Sequence, residues 1–379
     1  MIDVLDKKEC TGCHGCANIC PKHCISMIED REGFKYPIIE YNKCINCHLC
    51  EKVCPIINKN IVKNEPIAIA AYNKNKKIRK SSSSGGIFTL VAEEVIDNGG
   101  IVFGAKFNDK FQVEHGFTDS IGGLSSFRGA KYVQSNIGET YSLAKRFLNE
   151  GREVLFSGTP CQIGGLKRYL QKEYTNLICI DLICHGVPSP IVWNRYKERF
   201  NCKKNIVNIN FRDKTYGWND YSFRINYDDK SSILIRRSEN SFMNGFIGDI
   251  YLRPSCHNCK FKSINRESDI TLADFWGIEN IRKDMNDDNG ISLILINSEK
   301  GRKFLSNISD SIEQVEVDIN EAIKYNLSAV KSSYYNPRRD YFFKRINKTQ
   351  FDKLVMKSLK EPLSIRLKVK VYNMIKRVR

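Results

Sequence analysis

Between residues 67 and about 326 the chain alternates short apolar runs with longer stretches whose apolar side chains recur every three or four positions. The first pattern is that of a strand buried in a sheet, the second that of a helix laying one face on a core. The alternation predicts strands at 67–72, 101–107, 154–156 and 177–183, and helices at 87–98, 140–149 and 163–172. Strand followed by helix followed by strand is the order of α/β units. The longest apolar runs, 177–184 and 291–296, fall far short of the roughly 20 residues that cross a bilayer, and read as buried strands. Residues 58–65 are mostly polar and run into Pro66, a linker pattern. From Leu327 the chain turns basic and helical in pattern, with Pro337 and Pro362 as interruptions. Residues 1–57 break the rhythm altogether: they are dense in cysteine and carry a twofold repeat.

That repeat defines the first chemistry. Cys10, Cys13, Cys16 and Cys20 follow C-x2-C-x2-C-x3-C with Pro21 next, and Cys44, Cys47, Cys50 and Cys54 repeat the spacing with Pro55 next. This is the bacterial ferredoxin run, in which three close thiolates clasp one cluster and the fourth reaches the other. Cys10, Cys13, Cys16 and Cys54 are therefore expected to hold one 4Fe-4S cluster, and Cys44, Cys47, Cys50 and Cys20 the second. Zinc prefers two separated pairs of ligands and fits triple runs poorly. Gly12 and Gly15 suit loops that bend tightly round a cofactor. The prolines are expected to start short helices, and Cys24, four residues past Cys20, to pack as a small core side chain on one of them. The expected architecture is an α/β catalytic domain preceded by a small α+β module of the bacterial ferredoxin type. Its parts are 1–58, the two portions 66–150 and 151–326 of the larger domain, and a basic C-terminal extension, 327–379.

Composition narrows the class. Hydrophobic residues make up 41% of the 379 and charged residues 27%, an ordinary globular balance. The first eight residues mix acids and bases where a secretory signal needs an apolar stretch, which reads as a cytoplasmic chain. Fifteen cysteines in a reducing compartment point to metal or redox chemistry before disulfides. The formal charge is +17, yet residues 1–57 hold eight acids against seven bases, so the excess lies downstream. A basic body favours acidic partners such as an external ferredoxin, although lysine-rich coding bias produces the same surface. The basic stretch 74–80 has no interleaved aromatics and sits in no nucleic-acid-binding motif, so nucleic acid is not expected as a partner.

A third cysteine set lies in the larger domain. The strand at 154–156 runs into Ser157-Gly158-Thr159-Pro160-Cys161, and that at 177–183 into Cys184-His185-Gly186. Ligand sites in α/β sheets lie beyond the carboxyl ends of strands, where both cysteines fall. Cys256 and Cys259 supply a C-x2-C pair in a basic loop after Pro254. Four thiolates suffice for a third cluster. A zinc site or unrelated core thiols remain alternatives at this stage, and Cys179 and Cys202 read as structural.

Several segments carry a resemblance: Ser83-Ser84-Gly85-Gly86, Arg128 to Ser135, Gly158-Thr159-Pro160-Cys161-Gln162, Cys184-His185-Gly186, Phe211-Arg212-Asp213-Lys214 with Gly217-Trp218, and Asp274-Phe275-Trp276-Gly277. Together they resemble the coenzyme F420 hydrogenase/dehydrogenase beta-subunit family over roughly residues 1–345. The resemblance implies a ferredoxin-linked or coenzyme F420-linked oxidoreductase, with FAD and at least one 4Fe-4S cluster in the larger domain. It implies Cys161, Cys184, Cys256 and Cys259 as that cluster's ligands. Chemistry asks for a flavin too, because clusters pass single electrons whereas most organic substrates accept a pair. Candidate cofactor-binding residues are Ser84, Gly85 and Gly86 before the helix at 87–98, where free amides favour a phosphate. Lys131, Gln134 and Ser135, and Gly158 and Thr159, are further candidates. His185 and Asp274 are candidates for proton chemistry beside the flavin, or else a strand cap and a strand-end packing residue. His14, His23, His48 and His257 neighbour cysteines but are not needed as ligands.

The partners expected are a low-potential electron donor or acceptor and a small-molecule substrate, with coenzyme F420 as one candidate. Within 362–379, Leu367, Val371, Ile375 and Val378 recur at near-helical spacing among arginines and lysines. That pattern suits an anionic membrane surface or an acidic partner, and equally a docked terminal helix.

Overall fold

The computed structural model of the chain describes residues 2, 6–200 and 204–360. Cys202 and the amphipathic pattern of 362–379 lie outside the described residues.

The cysteine-rich module folds round an antiparallel hairpin, β1 (Ile25–Glu29) with β2 (Lys35–Ile39), paired Ile25 to Ile39 at one end and Glu29 to Lys35 at the other. Two short helices, Gly15–Ile19 and Leu49–Lys52, repeat one design. Each is preceded by a histidine in the left-handed region, His14 at φ 63° and His48 at φ 57°. That residue turns the chain sharply between the second and third cysteines, so His14 and His48 serve as turn formers beside the thiols. The helices therefore precede the prolines expected to start them: Pro21 and Pro55 sit in turns just after the fourth cysteines. A four-residue spacing from third to fourth cysteine is one helical turn, and this turn is the helix. Cys24 is buried but lies in the turn before β1, not on a helix.

The body is a mixed sheet of eight strands. Along the chain come β3 (Ile67–Asn73), β4 (Ile101–Phe107), β5 (Val113–Thr118), β6 (Val154–Ser157) and β7 (Leu177–Leu182). After a separate antiparallel meander, β8 (Ile206–Asp213), β9 (Ser222–Tyr227) and β10 (Ser232–Arg236), the sheet is completed by β11 (Ile270–Asp274), β12 (Ser292–Ile296) and β13 (Ile312–Val317). The spatial order is β13-β3-β12-β11-β7-β6-β4-β5. The four strands β11, β7, β6 and β4 run parallel, and antiparallel pairs flank them on both sides.

The period of two along these strands sorts two cores. Val102, Leu155 and Ile178 pack on one face with Ile87, Val91 and Val95 of helix Ile87–Asp97 and Phe304 and Leu305 of helix Glu299–Asn307. Their neighbours Ile101, Phe103, Val154, Phe156 and Cys179 pack on the other with helices Thr140–Asn149 and Pro160–Leu170. Helices thus cover both faces, and the sheet's strand ends are left to build sites. The meander packs on a third core rich in aromatics, where Trp193, Phe211, Phe223 and Phe242 meet Phe342, Phe351 and Leu354 from the segment after Leu327.

The module is seated in the body by polar contacts in a buried seam. Glu32 forms a buried ion pair with Arg339, Oε1 to Nη1 at 2.9 Å, and the Ser189 hydroxyl donates to the Glu32 carbonyl. Gly33, at φ 83°, lies against Ile191 so closely that a Cβ would fall 2.8 Å from its side chain.

Candidate functional site

The three cysteine sets each surround a small cavity. Cys10, Cys13, Cys16 and Cys54 line one of about 60 Å³. Cys20, Cys44, Cys47 and Cys50 line a second of about 20 Å³, with Cys24 alongside and its Sγ 3.3 Å from that of Cys20. Cys161, Cys184, Cys256 and Cys259 line a third of about 30 Å³. The crossing of fourth cysteines between the repeats, and the convergence of four residues spread over about a hundred positions, are both geometric facts of this fold. Among the described residues no three cysteine, histidine, aspartate or glutamate side chains gather tightly enough for a single ion.

Burial raises six of these thiols, Cys13, Cys16, Cys54, Cys161, Cys184 and Cys256, whereas at Cys20 desolvation is outweighed by hydrogen bonds and the thiol is lowered. Cys13, Cys184 and Cys256 are pushed up to about 12, chiefly by desolvation, and Cys161 rises further in the same direction. Thiolates gathered so deeply repel one another and require positive charge in their midst. Four sulfurs round one cavity, with loop amides close by, therefore suit an iron–sulfur cube.

The sets stand in series. Helix Pro160–Leu170 lies against the first: a Cβ on Gly165 would meet Cys13 Cβ at 2.9 Å. Cys161 is one turn earlier on that helix, and Thr11 lines both the first and third cavities. Cys184, His185, Gly186 and Val187 then form a wall shared by the third cavity and a much larger one. Thr159 touches both sides as well, lining the large cavity with its Oγ1 3.2 Å from Cys161 Sγ.

The large cavity measures about 910 Å³, near the top of the range for small-molecule and cofactor pockets. Ser157, Ile183 and Asp274 line it from the carboxyl ends of β6, β7 and β11. Ser84, Gly86, Lys131, Ser135, Gly158, Thr159, His185 and Asp274 all line it. Gly86 opens helix Ile87–Asp97 at φ 84°, a left-handed cap that leaves the first amides bare. Lys131 Nζ donates to the carbonyls of Arg128 and Gly129, and desolvation lowers it to about 7.

Two expected cofactor residues lie elsewhere. Gly85 is wedged between strands, its amide on Ser292 Oγ at 3.0 Å and a Cβ position only 2.5 Å from the Ala71 carbonyl. Gln134 turns away to the module, donating to the Thr11 carbonyl at 3.0 Å. Spacing along a loop cannot tell which alternate residue faces the cavity.

The two proton candidates differ. His185 Nε2 meets Asp249 Oδ1 at 2.7 Å, and the ring stands edge-on to Phe246, with Ser328 Oγ 3.4 Å from Nδ1. Asp274 is fully engaged: Oδ2 accepts from Arg212 Nη1 at 2.7 Å and Oδ1 from Trp218 Nε1 at 3.0 Å. Trp218 stacks on Trp276 at 4.9 Å. Asp274 is thus the counter-ion of a buried arginine, whereas His185 is held by Asp249 on one nitrogen and lies 3.4 Å from the Ser328 hydroxyl on the other.

His115 carried no sequence signal beyond being a lone histidine in a strand. It is buried in the cavity wall, stacked on Phe156, with Nε2 on the Ser157 carbonyl at 3.0 Å and Nδ1 without a hydrogen-bond partner among the described residues. Desolvation lowers its pKa to about 4, so the ring is neutral and Nδ1 is an acceptor.

Comparisons with known proteins match two segments of the chain. Residues 9–57 match the 4Fe-4S dicluster domain, and residues 151–321 match the C terminus of the coenzyme F420 hydrogenase/dehydrogenase beta subunit. A chain of the xenon-derivatised F420-reducing NiFe hydrogenase complex from Methanosarcina barkeri is similar at 16% identity, with a TM-score of 0.47, covering 80% of this chain and 91% of that one. No curated protein matches.

Proposed function

We propose that this chain, whose residues 151–321 match the C terminus of the coenzyme F420 hydrogenase/dehydrogenase beta subunit and whose residues 9–57 match a 4Fe-4S dicluster domain, is an iron–sulfur flavoprotein oxidoreductase. It relays electrons between a ferredoxin-like partner and a hydride-accepting small molecule. The observation that carries this reading is the series of three cysteine-lined cavities ending on the wall of the 910 Å³ cavity.

Cys10, Cys13, Cys16 and Cys54, and Cys20, Cys44, Cys47 and Cys50, would hold the two dicluster cubes, and Cys161, Cys184, Cys256 and Cys259 a third. Such cubes supply one-electron carriers. FAD, if held in the large cavity, supplies exchange of one electron on the cluster side and two on the substrate side. The residues present fit it. The bare amides after Gly86 and the Arg128 guanidinium line one space, with the Lys131 amine beside them as a hydrogen-bond donor, and favour a pyrophosphate there. Neutral His115 offers Nδ1 as an acceptor, and His185, steadied by Asp249 through Nε2, presents its other nitrogen toward Ser328. His185 is positioned to hold or move a proton next to the third cysteine set. Among the described residues no helix is long and apolar enough to cross a membrane.

The family's beta-subunit description favours a second reading, in which the chain hands its electrons to a partner enzyme and coenzyme F420 is the small molecule. One preparation decides. Protein purified without oxygen should contain iron and acid-labile sulfide for three cubes and one FAD, and should reduce a free acceptor alone. Turnover only with a partner selects the subunit reading. Iron for two cubes and no flavin overturns the role given to the larger domain.

A further inference from the structure

Arg253 stands at the seam between the first and third cysteine sets. It is only 1% exposed, and three residues later in its own loop comes Cys256 of the third set. Its guanidinium reaches across to the module. Nε donates to the Cys10 carbonyl at 2.8 Å, Nη2 to the Lys35 carbonyl at 2.9 Å and to Cys10 Sγ at 3.6 Å, and Nη1 to Gln134 Oε1 at 3.0 Å. Its flat face lies on Tyr36, 4.3 Å from the ring centre. Gly12 makes room for it: a Cβ there would fall 2.7 Å from Nη1.

None of these partners is a carboxylate, and among the described residues Arg253 takes part in no ion pair. Arginine stays charged in a protein interior. A buried cation without a counter-charge is costly, so this one needs an anion that the side chains alone do not provide. The nearest candidate is the Cys10 sulfur as a thiolate, with whatever net negative charge the first cysteine set carries when loaded.

We propose that Arg253 is a positioning residue that sets the reduction potential of the cluster held by Cys10, Cys13, Cys16 and Cys54. Each electron arriving there adds negative charge, which a fixed cation and an N–H···S hydrogen bond stabilise, so the reduced form is favoured and the potential raised. The cation also bridges this set to the loop of Cys256, at the point where electrons pass from module to body. The inference rests on the first set holding a cluster, and is independent of FAD and of any substrate.

The test is an EPR-monitored redox titration of the full chain, prepared anaerobically, alongside Arg253→Gln and Arg253→Lys, with iron and sulfide measured on each sample. In Arg253→Gln one midpoint should fall by a factor on the order of ten in the reduction equilibrium, about 59 mV for a one-electron couple, while the others stay. Arg253→Lys keeps the charge without the planar fork, and should move the same midpoint the same way by less. If the glutamine variant loses the cluster, the lysine variant decides. Unchanged midpoints in loaded variants, or equal shifts of all of them, would overturn the proposal. A wild-type chain without iron would instead remove the cluster reading beneath it.

Discussion

At the scale of single residues, His115 shows how a site can be tied to pH without being acidic or basic itself. Its ring is held neutral by burial, with a pKa near 4 against an ordinary 6.5. The unfolded chain therefore binds a proton below pH 6.5 that the folded chain refuses until about pH 4. Where the unfolded state binds more protons, stability rises with pH. The contribution is fully present above pH 6.5 and is lost as pH falls toward 4, at about 1.4 kcal/mol for each unit crossed. Urea denaturation at pH 7.5 and pH 5.5 should show the wild type losing about 1.4 kcal/mol more than His115→Phe. An identical loss in both would mean that His115 takes up its proton in the fold. Nothing in the sequence marked this residue, because its burial comes from Phe156 and Ser157, some forty positions away.

At the scale of elements, the decisive object is the seam that seats the module on the body. Glu32, at the tip of the hairpin β1–β2, pairs with Arg339, three hundred residues along, and both are buried. Removing one partner of such a pair strands the other charge, at a cost of about 3–5 kcal/mol. Glu32→Gln should lower the thermal midpoint, and should speed proteolysis within 58–65, which Arg168 and Asn64 now tie down. A midpoint equal to wild type would mean that the seam is held by packing alone. The sequence was informative within elements. Four strands and three helices of the body were legible because buried faces impose their periods locally, and the cysteine spacing was legible because a loop must bend within a few residues. The seam was not. Glu32 and Arg253 read as ordinary polar residues and Gln134 as a candidate cofactor ligand, since what distinguishes each is a partner more than a hundred positions away. The meander β8–β10 was missed although Ile209 and Phe211, and Phe223, Ile225 and Tyr227, alternate with polar residues as half-buried strands do; the core they face is completed by the segment after Leu327.

At the scale of the whole molecule, the proposed encounter with a redox partner would draw on both charge and apolar surface. The excess of +17 belongs to the body, whereas the module is close to neutral. The second cysteine set is the one nearest solvent, with Cys47 exposed and Ile45, more than half exposed, lining its cavity; Ile38 and Tyr41 of the same module are also more than half exposed. A field of this size acts over distances set by the Debye length, about 10 Å at 0.1 M salt, and governs how often an acidic carrier arrives. Contact at the module then depends on short-range apolar burial, which salt does not screen. Reduction of the chain by an acidic ferredoxin, followed by stopped flow, should therefore slow several-fold between about 50 mM and 500 mM salt. Reduction by a small uncharged donor should be insensitive over the same range. If the ferredoxin rate did not change with salt, the basic body would be a solvated surface with no part in steering, and the partner would have to be recognised by the module's apolar face alone.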